Sequence, residues 1–258
     1  MGLQLKASNL YGSFDGERRF LGASEGATEL DFEQDLAGSI RVFKRGQLSA
    51  ILPMVETYRS VRGLSEVGGD LGDLQLGARW DFTVSGSSVT IPGIALAAGA
   101  TLPTGRAPEA SSKPLATDAT GIGAFQGSLA LALEQTYGPW LVNVTGVVAW
   151  RAPRTVGDIH AQQGVQLVAS AAGGYSFSSG PVLALTLAYT AELDATINGE
   201  TLPESGRAST RIGVAGGLPF NDLWRMQGSV TTDLPIRYFG FNQPASVGLT
   251  LMILRSWS

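Results

Sequence analysis

The 258-residue chain contains no cysteine, which excludes disulfides, thiolate metal sites and cysteine nucleophiles together. Its one histidine, His160, excludes a multi-histidine zinc centre. Charge is scarce: Asp, Glu, Lys and Arg make up 16% of the residues, against ~25% in ordinary soluble domains. The balance is mildly acidic, 22 Asp and Glu against 18 Lys and Arg, which argues against a nucleic-acid partner. A long apolar run is also missing. The longest charge-free stretch, Ala161 to Ala191, is broken by Gly173-Gly174 and by Ser178-Ser179-Gly180-Pro181, so no helix of ~20 apolar residues can span a bilayer. Met1-Gly2-Leu3-Gln4 shows no basic-then-apolar leader. Either the chain is cytosolic or a start methionine has replaced a leader, and the remaining sequence favours the second. Nothing in the composition requires a metal or another cofactor.

What the chain does have is glycine, 34 of 258 residues, against a usual ~7%. No Gly-X-Y period accompanies it, and a hydrophobic content of 44% argues against disorder. The dominant period is two. Leu183, Leu185, Leu187 and Tyr189 alternate with Ala184, Thr186, Ala188 and Thr190; Leu129, Leu131 and Leu133 alternate with Ser128, Ala130, Ala132 and Glu134. The same alternation runs through Leu74 to Phe82 and Leu30 to Val42. This is the strand template, without a 3.6-residue period anywhere. It predicts twelve strands, at 2–13, 29–43, 47–61, 70–83, 89–103, 122–135, 139–152, 162–177, 181–193, 207–218, 222–234 and 245–257.

The predicted connections alternate in length. Those after even-numbered strands are short, such as Lys44-Arg45-Gly46 and Tyr137-Gly138. Those after odd-numbered strands are long and polar, the longest being 104–121. Every hairpin then opens the same way, with short turns on one rim and long loops on the other. That is the pattern of an outer-membrane barrel, whereas Greek-key sandwiches have no reason to keep it. The expectation is an all-β, single transmembrane antiparallel up-and-down barrel over residues 1–258, in the outer membrane, with the lipid bilayer as its partner.

In hydrocarbon every backbone polar group must be paired, so strands span only as a closed sheet. One parity then faces lipid and the other a lumen. Aromatic residues decide which. Trp140 and Trp150 share a parity ten residues apart, or about 25 Å along a tilted barrel, the height of an apolar band between aromatic girdles. Trp80, Tyr175, Trp224 and Trp257 gather near the short-turn rim, and such rings favour the headgroup level. The opposite parity gives pore-lining candidates Asp73, Arg79, Asp81, Gln126, Glu134, Arg211, Arg225 and Gln227. Twelve strands lie between side-chain-filled barrels of ~8 and open porins of ~16, so the lumen is expected to be narrow.

Catalytic alternatives fare poorly. Asp158-Ile159-His160 resembles the Asp–His pair of omptin proteases, but no facing acidic pair accompanies it, and Gln162 stands where barrel lipases carry a serine. Gly121 to Gly127 is glycine-rich like a nucleotide loop, yet has no lysine and leads into a strand. The chain is therefore not expected to be an enzyme.

Two segments carry a family resemblance. Gly72-Asp73-Leu74-Gln75-Leu76-Gly77-Ala78-Arg79-Trp80 and Gly93 to Gly105, ending Pro103-Thr104-Gly105, resemble the outer-membrane proteins associated with the meta-pathway of phenol degradation. The resemblance is clearest over 70–135. It implies a transporter in the outer membrane that takes up small compounds, aromatic or hydrophobic ones among them, and it brings no catalytic residues. The expected function is a channel giving passive or weakly selective passage to small solutes. The alternative is a closed barrel acting as a scaffold or surface-binding protein through its loops, with 104–121 as the contact.

Overall fold

The computed structural model describes residues 1–88 and 90–257. Among them, twelve strands close into an antiparallel ring: β1 (Gly2–Phe14), β2 (Thr28–Val42), β3 (Gly46–Val61), β4 (Leu74–Thr83), β5 (Gly93–Leu102), β6 (Gln126–Tyr137), β7 (Trp140–Arg151), β8 (Gln166–Ser176), β9 (Val182–Glu192), β10 (Arg207–Pro219), β11 (Trp224–Asp233) and β12 (Gln243–Arg255). Each strand pairs with its neighbours in sequence. The ring closes where β12 meets β1, from Gly2 opposite Leu254 to Phe14 opposite Gln243. Among the described residues no helix is long and apolar enough to cross a membrane, which bears on helices alone.

The period-two pattern becomes two faces. Leu129, Leu131 and Leu185 point outward, and Leu185 is 68% exposed. The polar parity points inward, where side chains of a curved sheet converge. Convergence explains how ion pairs can bridge a whole intervening strand: Arg79 on β4 reaches Glu134 on β6 at 3.0 Å, and Arg151 on β7 reaches Glu192 on β9 at 2.8 Å. Ala95 and Ala97 lie on β5 beneath the first bridge. Their methyl groups leave room for it, and Ala95 is buried.

The long-loop rim carries additional strands. Leu64–Leu71 folds back on β3 in a hairpin that extends above the ring. Residues Arg154–Val156, Ile159–Gln162, Thr196–Ile197 and Glu200–Thr201 form a small four-stranded sheet joining two loops.

Several predicted boundaries differ. The strand expected over 70–83 is divided at Gly72-Asp73, because the Asp73 carboxylate leaves the ladder pattern to bind another loop. The segment between 61 and 70 is a strand hairpin rather than a loop. The strand expected from 89 begins at Gly93; Val89 lies outside the described residues, and Pro92 has no N–H for a ladder. The connection from β4 to β5 is consequently longer than the other short turns. It is fixed by Thr83, whose hydroxyl donates to the Pro92 carbonyl at 2.6 Å and accepts the Ile94 N–H at 2.8 Å. The terminal segment read to 257 ends as a strand at Arg255, and Ser258 lies outside the described residues.

Replacing an outward leucine in mid-strand with a cation should expose the cost of desolvation. Leu131→Arg is expected to destabilise the barrel in phospholipid vesicles by about 2–4 kcal/mol, measured by guanidinium unfolding. Ala97→Ser, on the inward face, is expected to change it by under ~1 kcal/mol.

Candidate functional site

The lumen is lined unevenly. On the β2–β6 side, Lys6 reaches across to Glu33 and Asp35 at 2.8 and 2.7 Å. Nearby, Arg79 joins Asp81 at 2.8 Å as well as Glu134. On the β7–β11 side, Arg151, Arg207 and Arg211 face Glu192 and Asp233. Arg211 grips Asp233 with Nε at 3.2 Å and Nη2 at 2.9 Å, a two-pronged contact that only guanidinium geometry allows. These two are direct cross-strand partners, so the ladder register itself sets the pair.

Two cavities follow the β9–β10 wall. One, near the long-loop rim, has a volume of about 320 Å³ and is lined by Gln166, Thr190, Glu192, Arg207, Arg211 and Gln243. The other, nearer the short-turn rim, is about 600 Å³ and is bounded by Leu141, Val182, Ala184, Ala215, Met252 and Gln227 among others. A polar compartment is thus succeeded along one wall by a largely apolar one. Leu141, Val182 and Met252 take the inward parity, which residue type alone assigns to lipid; their strand positions beside outward Trp140, Leu183 and Ile253 settle it.

The 104–121 segment is held against β3, the 64–71 hairpin and the start of β4. Its side-chain partners Asp73, Glu66 and Arg59 share the inward parity. Asp73 accepts the N–H groups of Gly105 and Ile122 at 2.8 and 2.7 Å. Glu66 accepts from Leu115 N–H at 3.0 Å and Thr117 hydroxyl at 3.2 Å, while Arg59 donates to the Leu115 carbonyl at 2.8 Å. Gly68 is needed here, since a Cβ would stand 2.6 Å from the Thr117 backbone. Within the segment, Asp118 is buried and accepts from Ser111, Ser112 and Arg106. The serine hydroxyls, above all, and then the Ser112 N–H and the Arg106 guanidinium hold the Asp118 carboxyl well below the usual carboxylate range, against the opposing effect of desolvation.

The predicted site residues separate into groups. Asp73 is buried as a loop anchor. Arg79, Asp81 and Glu134 form one ion-pair cluster. Gln126 accepts from Arg151 Nε at 2.8 Å. Arg211 lines the polar cavity, and Arg225 and Gln227 line the apolar one. Arg207 and Glu192 belong with Arg211, a grouping that sequence reasoning did not make; their link is the β9–β10 register. Trp80, Trp140 and Trp224 are exposed on the outer face. Tyr175 stacks edge-on against Trp140 at 5.0 Å near the short-turn rim, and Arg255 lies over Trp224 and Trp257. Trp150 meets Phe125 at 5.7 Å towards the other rim. His160 is exposed in the small sheet, its Nδ1 2.9 Å from Thr155 Oγ1, and among the described residues no hydrogen bond joins it to Asp158.

A closed antiparallel ring with an apolar belt and an ion-paired interior defines an outer-membrane β-barrel. The chain belongs to the family described as "Putative MetA-pathway of phenol degradation", whose model matches residues 21–236. In fold it is similar to the COG4313 outer membrane channel from Pseudomonas putida F1, with a TM-score of 0.76, 17% identity, and coverage of 99% of this chain and 95% of that one. It is also similar to the NanC porin, with a TM-score of 0.54, 8% identity and coverage of 99% and 100%. The transport unit of the autotransporter AIDA-I from Escherichia coli gives a TM-score of 0.52, 8% identity and coverage of 99% and 90%. No curated protein matches the chain in sequence.

Two outcomes are expected for the inward segment. Asp73→Ala removes two charge-assisted bonds at ~1.5 kcal/mol each, which should raise the opened fraction of 104–121 by on the order of a hundredfold. Limited proteolysis reads that population. Because the folded Asp118 carboxyl titrates below its ordinary value of 3.8, its stabilisation is complete above the unfolded pKa and is lost as pH falls beneath it. Hydrogen exchange in 106–118 should therefore show constant protection between about pH 5 and 8 and lose it below about pH 4, a dependence that Asp118→Asn reduces.

Proposed function

We propose that this barrel is a narrow passive channel for small solutes in the outer membrane. The observation that carries the proposal is the pair of cavities on one wall of the lumen, polar near the long-loop rim and largely apolar towards the other. A water-filled passage would suffice for ions; an apolar compartment inside a polar mouth suits solutes with a hydrophobic body. The family's description points to phenol degradation, and the Pseudomonas putida relative is called a channel, both in keeping with passage of small aromatic or hydrophobic compounds. The inward segment 104–121 then acts as the constriction, its width set by Asp73, Glu66 and Asp118. Arg79, Asp81 and Glu134 brace the wall and present mixed charge to the lumen, which suits weak ion selectivity.

The scaffold reading needs a protruding contact surface at 104–121. That segment instead buries Thr117 and Asp118 against the hairpin, so the channel reading is preferred.

Planar-bilayer recording of the folded full chain tests the channel. Small, steady conductance steps are expected, with larger steps once residues 106–119 are replaced by a short Gly-Ser linker. Absence of steps in both proteins, with folding verified by heat-modifiable gel migration, would falsify it.

A further inference from the structure

The polar cavity is more basic than its pairing requires. Three guanidiniums, from Arg151, Arg207 and Arg211, share two carboxylates, those of Glu192 and Asp233. Arg151 is buried and held on two sides: its Nε is given to Gln126 and its Nη1 to Glu192. Glu192 is already held by that contact, so Arg207 adds a second donor to a satisfied acceptor. Among the described residues Arg207 makes one side-chain hydrogen bond, Nη2 to Glu192 at 2.9 Å, and its side chain is 41% exposed. Its remaining donors face a cavity that also offers Gln166, Thr190, Ser209 and Gln243. Arg211 stands four residues further along the same face of β10, about 10 Å deeper on a tilted strand, with its side chain 45% exposed. Below it the inward positions become Gly213, Ala215, Gly217 and Pro219, and the apolar cavity opens against Val182, Leu141 and Met252.

We propose, resting on the channel reading above, that the solutes this wall selects are amphipathic monocarboxylates. The carboxylate is taken by Arg207 and passed to Arg211, while the hydrocarbon part lies against Ala215, Val182 and Met252. The surplus positive charge supplies the sign preference. Guanidinium supplies the geometry, because its planar donors match a carboxylate's two oxygens. The apolar cavity supplies preference for a longer tail, since each buried methylene contributes ~0.8 kcal/mol. A neutral solute gains from the second feature alone, and acetate from the first alone.

Equilibrium binding of radiolabelled hexanoate, acetate and hexylammonium to the purified full chain in detergent tests this. Hexanoate is expected to bind about tenfold or more tightly than acetate, a modest share of what its added methylenes can contribute, and more tightly than hexylammonium. The folded R207Q/R211Q variant should lose the preference for hexanoate over hexylammonium. Ala215→Phe, which narrows the apolar cavity and leaves the arginines in place, should reduce the advantage of hexanoate over acetate. Equal binding of hexanoate and hexylammonium by the unaltered protein overturns the proposal, as does hexanoate binding unchanged in R207Q/R211Q. The three-probe comparison needs no variant, so a misfolded variant cannot obscure it. Hexanoate binding without bilayer conductance keeps the site and removes the channel; conductance without hexanoate preference removes the site and keeps the channel.

Discussion

Hydrocarbon offers no partner to an unpaired amide. That single constraint closes the sheet, because any open edge inside the bilayer would leave a column of N–H and C=O groups unpaired at several kcal/mol each. Once β12 is joined to β1, alternate side chains have no choice but to face lipid or the lumen. Polar residues then become affordable only on the inside, where curvature brings them within reach of one another. The Arg79–Glu134 and Arg151–Glu192 bridges depend on this curvature as much as on charge, since each crosses an intervening strand.

The same closure explains where specificity can reside. Backbone pairing is used up in the ring, so recognition falls to inward side chains and to the loop that turns into the mouth. The wall opposite the inward loop has small residues at Gly213, Ala215 and Gly217, and space collects there. The loop side is occupied by hydrogen bonds to Asp73, Glu66 and Arg59. One side of the lumen is therefore structural and the other is available.

Much of the fold was legible in the sequence because a strand's period is local. Leu183 to Thr190 states its two faces without reference to any other segment, and the alternating short and long connections state the topology. What was not legible depends on distant partners. Asp73 looks like one more inward residue of a continuous strand until Gly105 and Ile122, far along the chain, are seen to donate to it. Leu141, Val182 and Met252 carry lipid-like side chains, and only their register beside Trp140, Leu183 and Ile253 places them inside. The grouping of Arg207 with Glu192 and Arg151 likewise follows from the order in which β7, β8, β9 and β10 lie side by side, which no single segment contains.

The seam between the first and last strands has a further meaning. The Met1 amino group donates to the Arg255 carbonyl at 3.0 Å, so the two ends of the ring meet at the same rim as the short turns. Nothing in a circle of like strands marks a natural starting point. A chain in which the segments before β1 and after β12 are joined by a brief linker and which is opened instead between β6 and β7, at Gly138, preserves every neighbour relation. In chain order, by contrast, the closing partner β12 comes last, so its pairing with β1 spans more sequence than any other pairing in the ring. The permuted chain keeps the pairing identical and moves the longest-range contact from β12–β1 to β6–β7.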